Sequence, residues 1–229
     1  RYGGFSIGIN DKSATVVKDA AGNLLTLGSS SSGYYIEAKY GYSYFSGWNS
    51  NYLPRSIYSD FIKTFEDPKP FVEGKSVPYT EKSIVFLTDW MKYYSPWKNS
   101  IDPNRVVIES ASLGAGGGLA IAIHNPDKIS AVSLAKARTQ ITNTLSDIKS
   151  INYFGSPIDN IPTPEGTGVY DYYNITDYLL KHPEKNYPYL RAYYGRNDTT
   201  ISWDLNNIPG FYQTAQSSRT GLISYWDDS

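Results

Sequence analysis

The chain has no cysteine among its 229 residues. That excludes disulfides and thiolate metal sites, and it leaves the redox compartment open. An excess of charge is also missing: 21 basic side chains face 22 acidic ones, for a net charge of −1. So small a field gathers neither nucleic acid nor anionic lipid, and neither is expected as a partner. No apolar run approaches the ~20 residues that cross a bilayer, so no membrane span is expected. Histidine is scarce, with only His124 and His182. The acidic doublets Glu66-Asp67 and Asp227-Asp228 stand without the histidines or further carboxylates of a tight site, so no metal or other cofactor is expected.

What the chain does have is tyrosine. It carries 22, with five tryptophans and eight phenylalanines. Aromatic rings with a polar tip suit surfaces that face water, and with the many Ser, Asn and Gly residues they point to a secreted or cell-surface protein; a chain that simply uses Tyr as its core aromatic is the competing reading. Asn174-Ile-Thr and Asn197-Asp-Thr fit the glycosylation acceptor pattern. The chain opens on Arg1 instead of Met, as a processed or trimmed product does.

Phe5 to Asn10 and Ala14 to Leu27 alternate like strands, with Ala21-Gly22-Asn23 as a turn. A flexible Gly28-to-Gly33 loop follows, then an extended stretch from Tyr34 to Phe45. Pro68, Pro70, Gly74 and Pro78 make Asp67 to Tyr79 irregular. Ile84, Leu87, Met91 and Tyr94 then fall on one face of a helix that starts near Thr80 and stops by Pro96. "IDPNR" at residues 101–105 is a turn, and the apolar "VVIES" after it reads as a strand inside a parallel sheet. Leu119 to His124 is helical, and Lys128 to Ala135 is a second buried strand. A helix from Thr176 to Lys181 and strands Tyr189 to Tyr194 and Thr220 to Trp226 continue the alternation. The fold class is therefore α/β: one domain over residues 1–229, a mostly parallel sheet flanked by helices, with a β-rich part at 1–80.

Between the strand and the helix lies "ESASLGAGGG". A strand that turns abruptly into a helix exposes its apex residue over the sheet, and the neighbours must be small, usually Gly-x-Ser-x-Gly. Around Ser112 the flanking positions are Ser110 and Gly114, so a small serine replaces the first glycine. Ser112 at a helix N-terminus, with the Leu113 N–H beside it, is what a nucleophile and its oxyanion donor require. An inert glycine-rich turn is the competing reading. A Walker-type phosphate loop lacks its Gly-Lys-Ser/Thr ending, and a dinucleotide fingerprint would want an acidic residue about 20 residues on, at a strand end.

The stretch "SIDPNRVVIESASLGAGGGLAIAIHNPDKISAVSLA" (residues 100–135) resembles the elbow segment of α/β-hydrolase serine esterases of the feruloyl/acetyl-esterase and polyhydroxybutyrate-depolymerase type. That resemblance implies a hydrolase core over residues 81–229. It also implies a Ser, Asp, His order of catalytic residues and an ester of a small molecule or a polymer as substrate. The "GRND" turn at 195–198 is similar to the family's acid-bearing turn, making Asp198 the acid, though Asp is also an ordinary turn residue. No His-Gly oxyanion loop is seen upstream, and no histidine follows Asp198. His124 and His182 read as structural. Two explanations stay open for the base: a histidine beyond Ser229 or from a further chain, or a hydrolase-like domain without catalysis that binds carbohydrate or protein. Tyr42 and Trp48, within the aromatic run from Tyr40 to Tyr52, are candidate walls for an aryl or sugar ester, or else a loop packed on the core.

Overall fold

The computed structural model describes residues 74–141 and 157–229 and, outside them, three two-residue strands. Strands β1 (Val17–Lys18) and β2 (Leu24–Leu25) pair antiparallel. Strand β3 (Trp48–Asn49) pairs antiparallel with β4 (Ser76–Val77). The remaining expectations for residues 1–73, including Tyr42, lie outside the described residues.

Helix α1 runs from Tyr79 to Tyr93. Its stop is physical: Tyr94 and Ser95 both donate their N–H to the Trp90 carbonyl, and Pro96 disfavours helical geometry in the residue before it. Tyr94, expected on the apolar face, sits at this terminus and is 76% exposed. A 3-10 turn and the 101–105 turn follow. In the latter, Asp102 accepts the Asn104 N–H at 3.0 Å through its side chain and the Arg105 N–H at 3.1 Å through its carbonyl.

Four strands then build one parallel sheet: β5 (Val107–Ala111), β6 (Ala131–Ala135), β7 (Tyr189–Gly195) and β8 (Leu222–Asp227), in that spatial order. Helix α2 (Ser112–His124) joins β5 to β6. Two short helices, α3 (Val169–Tyr172) and α4 (Ile175–Lys181), precede β7, and α5 (Ile208–Ser217) precedes β8. Alternation along each strand divides the sheet's faces. Val132, Leu134, Leu190, Ala192 and Tyr194 point into a core with Leu119, Ile123, Leu179, Ile208 and Phe211. The other face carries Tyr189, Arg191, Ile223 and Tyr225, all exposed, with the Arg191 guanidinium 5.6 Å from the Tyr225 ring centre.

Strand β5 joins the parallel sheet as expected, and among the described residues its one neighbour is β6, with Val107 57% exposed. A trench of about 640 Å³ runs along β5, between Ile84, Leu87 and Met91 of α1 and the strand. Among the described residues, the helix turns its apolar stripe to this trench.

Helix α2 starts at Ser112, seven residues before the stretch at Leu119 that the sequence marked as helical. Four glycines, at 114 and 116 to 118, cost helix propensity. Packing offsets this, because the glycines let the helix lie close on β5. A Cβ placed on Gly118 comes 2.6 Å from the Ser110 hydroxyl and 2.9 Å from Ile108 Cγ2. That contact explains how a serine stands two residues before Ser112: the missing side chain at 118 makes room for it. The Ser110 hydroxyl has no hydrogen-bond partner there. Gly118→Ala is expected to cost about 1–3 kcal/mol from overpacking. Urea unfolding checks this; an unchanged midpoint means the helix sits looser than described.

Candidate functional site

Parallel strands all end on the same edge of a sheet, and loops at that edge form the crevice where such folds bind ligands. In the ladder, Ala111 of β5 pairs with Ala135 of β6, which pairs with Tyr193 of β7. Ser112 and Lys136 are each the next residue along their strand.

Ser112 is exposed and has φ 51°, the left-handed region, directly after the extended Ala111. L-residues other than Gly, Asn and Asp rarely sit there. As the first residue of α2 it lies where backbone N–H groups have no partner inside the helix. The Leu113 N–H is one of these, and together they favour negative charge at this point.

Asp198 is placed by the turn after β7. Its Oδ1 accepts the N–H groups of Thr200 at 2.8 Å and Ile201 at 2.9 Å. Its Oδ2 accepts from Lys136 Nζ at 2.7 Å, and the Asp198 side chain is only 8% exposed. Burial raises the pKa of this carboxyl, but the Lys136 ammonium and the two backbone donors outweigh burial, so it lies below the usual aspartate value. One oxygen thus holds the turn, as the turn reading expects, and the other is presented to the Lys136 ammonium. Since β6 lies between β5 and β7, the strands carrying Ser112 and Asp198 are two strand spacings apart, roughly 10 Å.

The end of β8 completes this edge. Asn197 donates its backbone N–H to the Ser229 carbonyl at 3.1 Å and its side-chain amide to the Asp228 carbonyl at 2.7 Å. Tyr193 OH donates to Asp227 at 2.9 Å. Gly195 lies close against the Ser229 carbonyl, so a side chain there would force this end to shift.

Both histidines lie elsewhere. His124 closes α2, twelve helical rises or roughly 18 Å from Ser112. Its Nε2 donates to the Tyr172 carbonyl at 3.0 Å, and its Nδ1 pairs with Glu81 Oε2 at 3.1 Å. His182 precedes β7, at the opposite edge of the sheet, and sits 3.6 Å from Glu184. Both glycosylation-pattern asparagines have structural work: Asn174 accepts the Asp177 N–H to cap α4, and Asn197 holds the end of β8. Trp48 lies in β3, paired with Val77. Among the described residues no cluster of three His, Cys, Asp or Glu side chains could hold a metal, and no helix is long and apolar enough to cross a membrane.

Lys136 escaped the sequence reading. Its signal was modest: a lone cation directly after the apolar strand "AVSLA".

No protein-family model matches the chain, and no curated protein matches it in sequence. Solved structures do. One is an S-formylglutathione hydrolase from Agrobacterium tumefaciens, with TM-score 0.50 and 14% identity over 82% of this chain and 57% of that one. Another is an acetyl ester-xyloside bifunctional hydrolase from Caldicellulosiruptor lactoaceticus, with TM-score 0.50 and 12% identity over 71% of this chain and 58% of that one. The chain thus spans a little over half the length of each. At such identities the likeness speaks for architecture, and it agrees with the parallel sheet, the edge on which Ser112 sits and the elbow motif: the chain has the α/β-hydrolase fold.

Proposed function

We propose that the chain is a serine hydrolase acting on carboxylic esters, of small molecules or of a polymer, in a secreted or cell-surface setting. One observation carries the reading: Ser112 stands exposed at φ 51° on the strand-to-helix apex, at a helix N-terminus. Strain at a serine in such a turn has no structural return and is characteristic of a nucleophile. Ser112 Oγ attacks the ester carbonyl, and the Leu113 N–H donates to the oxygen as it gains charge. Asp198 holds the cationic form of the base. A histidine from beyond residue 229 or from a further chain is the imidazole expected for that carboxylate. Both of the similar structures are hydrolases, which supports the reaction class.

A second reading follows from one observation, that neither His124 nor His182 reaches Asp198. A domain of this fold without catalysis would bind carbohydrate or protein through exposed rings such as Tyr225 and Trp226, 47% and 54% accessible. Labelling with a fluorophosphonate separates the two. The ester hydrolase forms a covalent adduct that Ser112→Ala abolishes. Folded protein that takes no label at any pH is the binding domain, and labelling that persists unchanged after Ser112→Ala removes Ser112 as the nucleophile.

A further inference from the structure

Helix α1 carries a second stripe besides the one it turns to the trench. Tyr79, Phe86 and Tyr93 stand seven residues apart, with Trp90 four after Phe86, so the four fall on one line along the helix. At 1.5 Å per residue the line is about 21 Å long. It runs on the side of α1 opposite Glu81 and Lys92, the two buried residues of this helix. Phe86 is 70% exposed, Tyr93 52% and Trp90 36%. Tyr94 and Trp97, just past the helix, add further exposed rings. The outer side of a helix packed on its own domain is ordinarily charged or polar, and here it is aromatic. Taking about 150–250 Å² for a whole ring side chain, the exposed part of these rings comes to roughly 600 Å². An apolar patch of that size on one chain marks a binding surface.

We propose that this face pairs with the same face of a second copy of the chain, α1 against α1, antiparallel about a two-fold axis at Phe86. Such an axis sets residues equally far before and after Phe86 against each other. Phe86 then meets its own copy, and Tyr79 meets Tyr93. The exposed Lys82 meets Trp90, whose indole face attracts an ammonium. Asp89 lies one residue from that contact, held by Lys128 at 3.0 Å, so Lys82 also gains a carboxylate across the axis. Each of these contacts between unlike residues occurs twice.

Burying the rings of both copies removes about 1,200 Å² from water, the lower end of what specific interfaces bury. The charges beside the stripe also favour a like partner. Lys82 and Asp89 are one of each sign and complement an identical face turned end for end, whereas an anionic lipid surface wants cations alone. The pairing is independent of the chemistry at Ser112.

Sedimentation equilibrium of the 229-residue chain tests this. At about 100 μM the wild type is expected to be a dimer, since interfaces of this area reach micromolar affinity. Phe86→Asp puts two carboxylates on the axis and is expected to weaken the dimer at least about 100-fold. Dilute monomers of this variant and of wild type are expected to melt together, because the ring is exposed in a single copy. Lys82→Glu faces Asp89 with a like charge and is expected to weaken the dimer about fivefold. Tyr225→Asp, on the exposed face of the sheet, is expected to leave it intact. Wild type that stays monomeric at this concentration overturns the pairing. If that monomer cosediments with phosphatidylcholine vesicles and Phe86→Asp does not, the stripe rests on a lipid surface instead. A dimer that survives Phe86→Asp, or that Tyr225→Asp breaks, uses another face and overturns the proposal as well.

Discussion

Glu81→Ala is expected to lower stability by about 3–5 kcal/mol, the usual penalty for removing one partner of a buried charged network. The carboxylate lies on α1 with its side chain 6% exposed, against His124, whose side chain is 3% exposed. Three residues from two other segments converge on it. Asn125 donates its amide at 2.8 Å, Tyr172 its hydroxyl at 3.2 and 3.3 Å, and His124 pairs through Nδ1 at 3.1 Å. The network therefore ties α1 to the end of α2 and to α3. Truncation leaves the Tyr172 hydroxyl and one imidazole nitrogen buried without that partner, whereas the Asn125 amide keeps its bond to the Ile121 carbonyl. For a chain of this length the melting temperature falls on the order of 10 °C. Tyr172→Phe removes a single donor and is expected to cost only about 1 kcal/mol. If Glu81→Ala melts with the wild type, the three segments are held by apolar packing alone.

These partners show where sequence reasoning stops. Glu81 and His124 are 43 positions apart, and Lys136 and Asp198 are joined only by the fold. Neither pairing has a local signature, so His124 read as structural without its reason and Lys136 passed unnoticed. Locally encoded features were legible. The elbow announced itself through small residues around Ser112, and the 101–105 turn through Asp, Pro and Asn. Strands β6, β7 and β8 showed as apolar runs between breakers, and α4 began within a residue of its expected start. Helix α5 was equally legible but went unread: Asn207 caps it, Pro209 sits in its first turn, and Ile208, Phe211, Tyr212 and Ala215 recur at helical spacing.

Replacing Ser112 separates chemistry from strain. Ser112→Ala and Ser112→Gly both remove the hydroxyl, and each is expected to lower kcat/KM for an aryl ester by on the order of 10³-fold or more, about 4 kcal/mol of transition-state stabilisation. Their stabilities should differ. At φ 51° alanine keeps the backbone penalty of a Cβ in the left-handed region, and glycine does not. Glycine gives part of that back through the greater freedom of its unfolded chain. The net expectation is that the Ser112→Gly variant is more stable than the Ser112→Ala variant by about 1 kcal/mol, read from urea midpoints at equal slope. A native serine at this position is thus maintained against a conformational preference that glycine would satisfy. If both variants hydrolyse the ester as fast as wild type, the apex is an inert turn whatever its φ. If the activity is lost but the two variants unfold together, Ser112 is still the nucleophile, and the turn relaxes when its hydroxyl is gone.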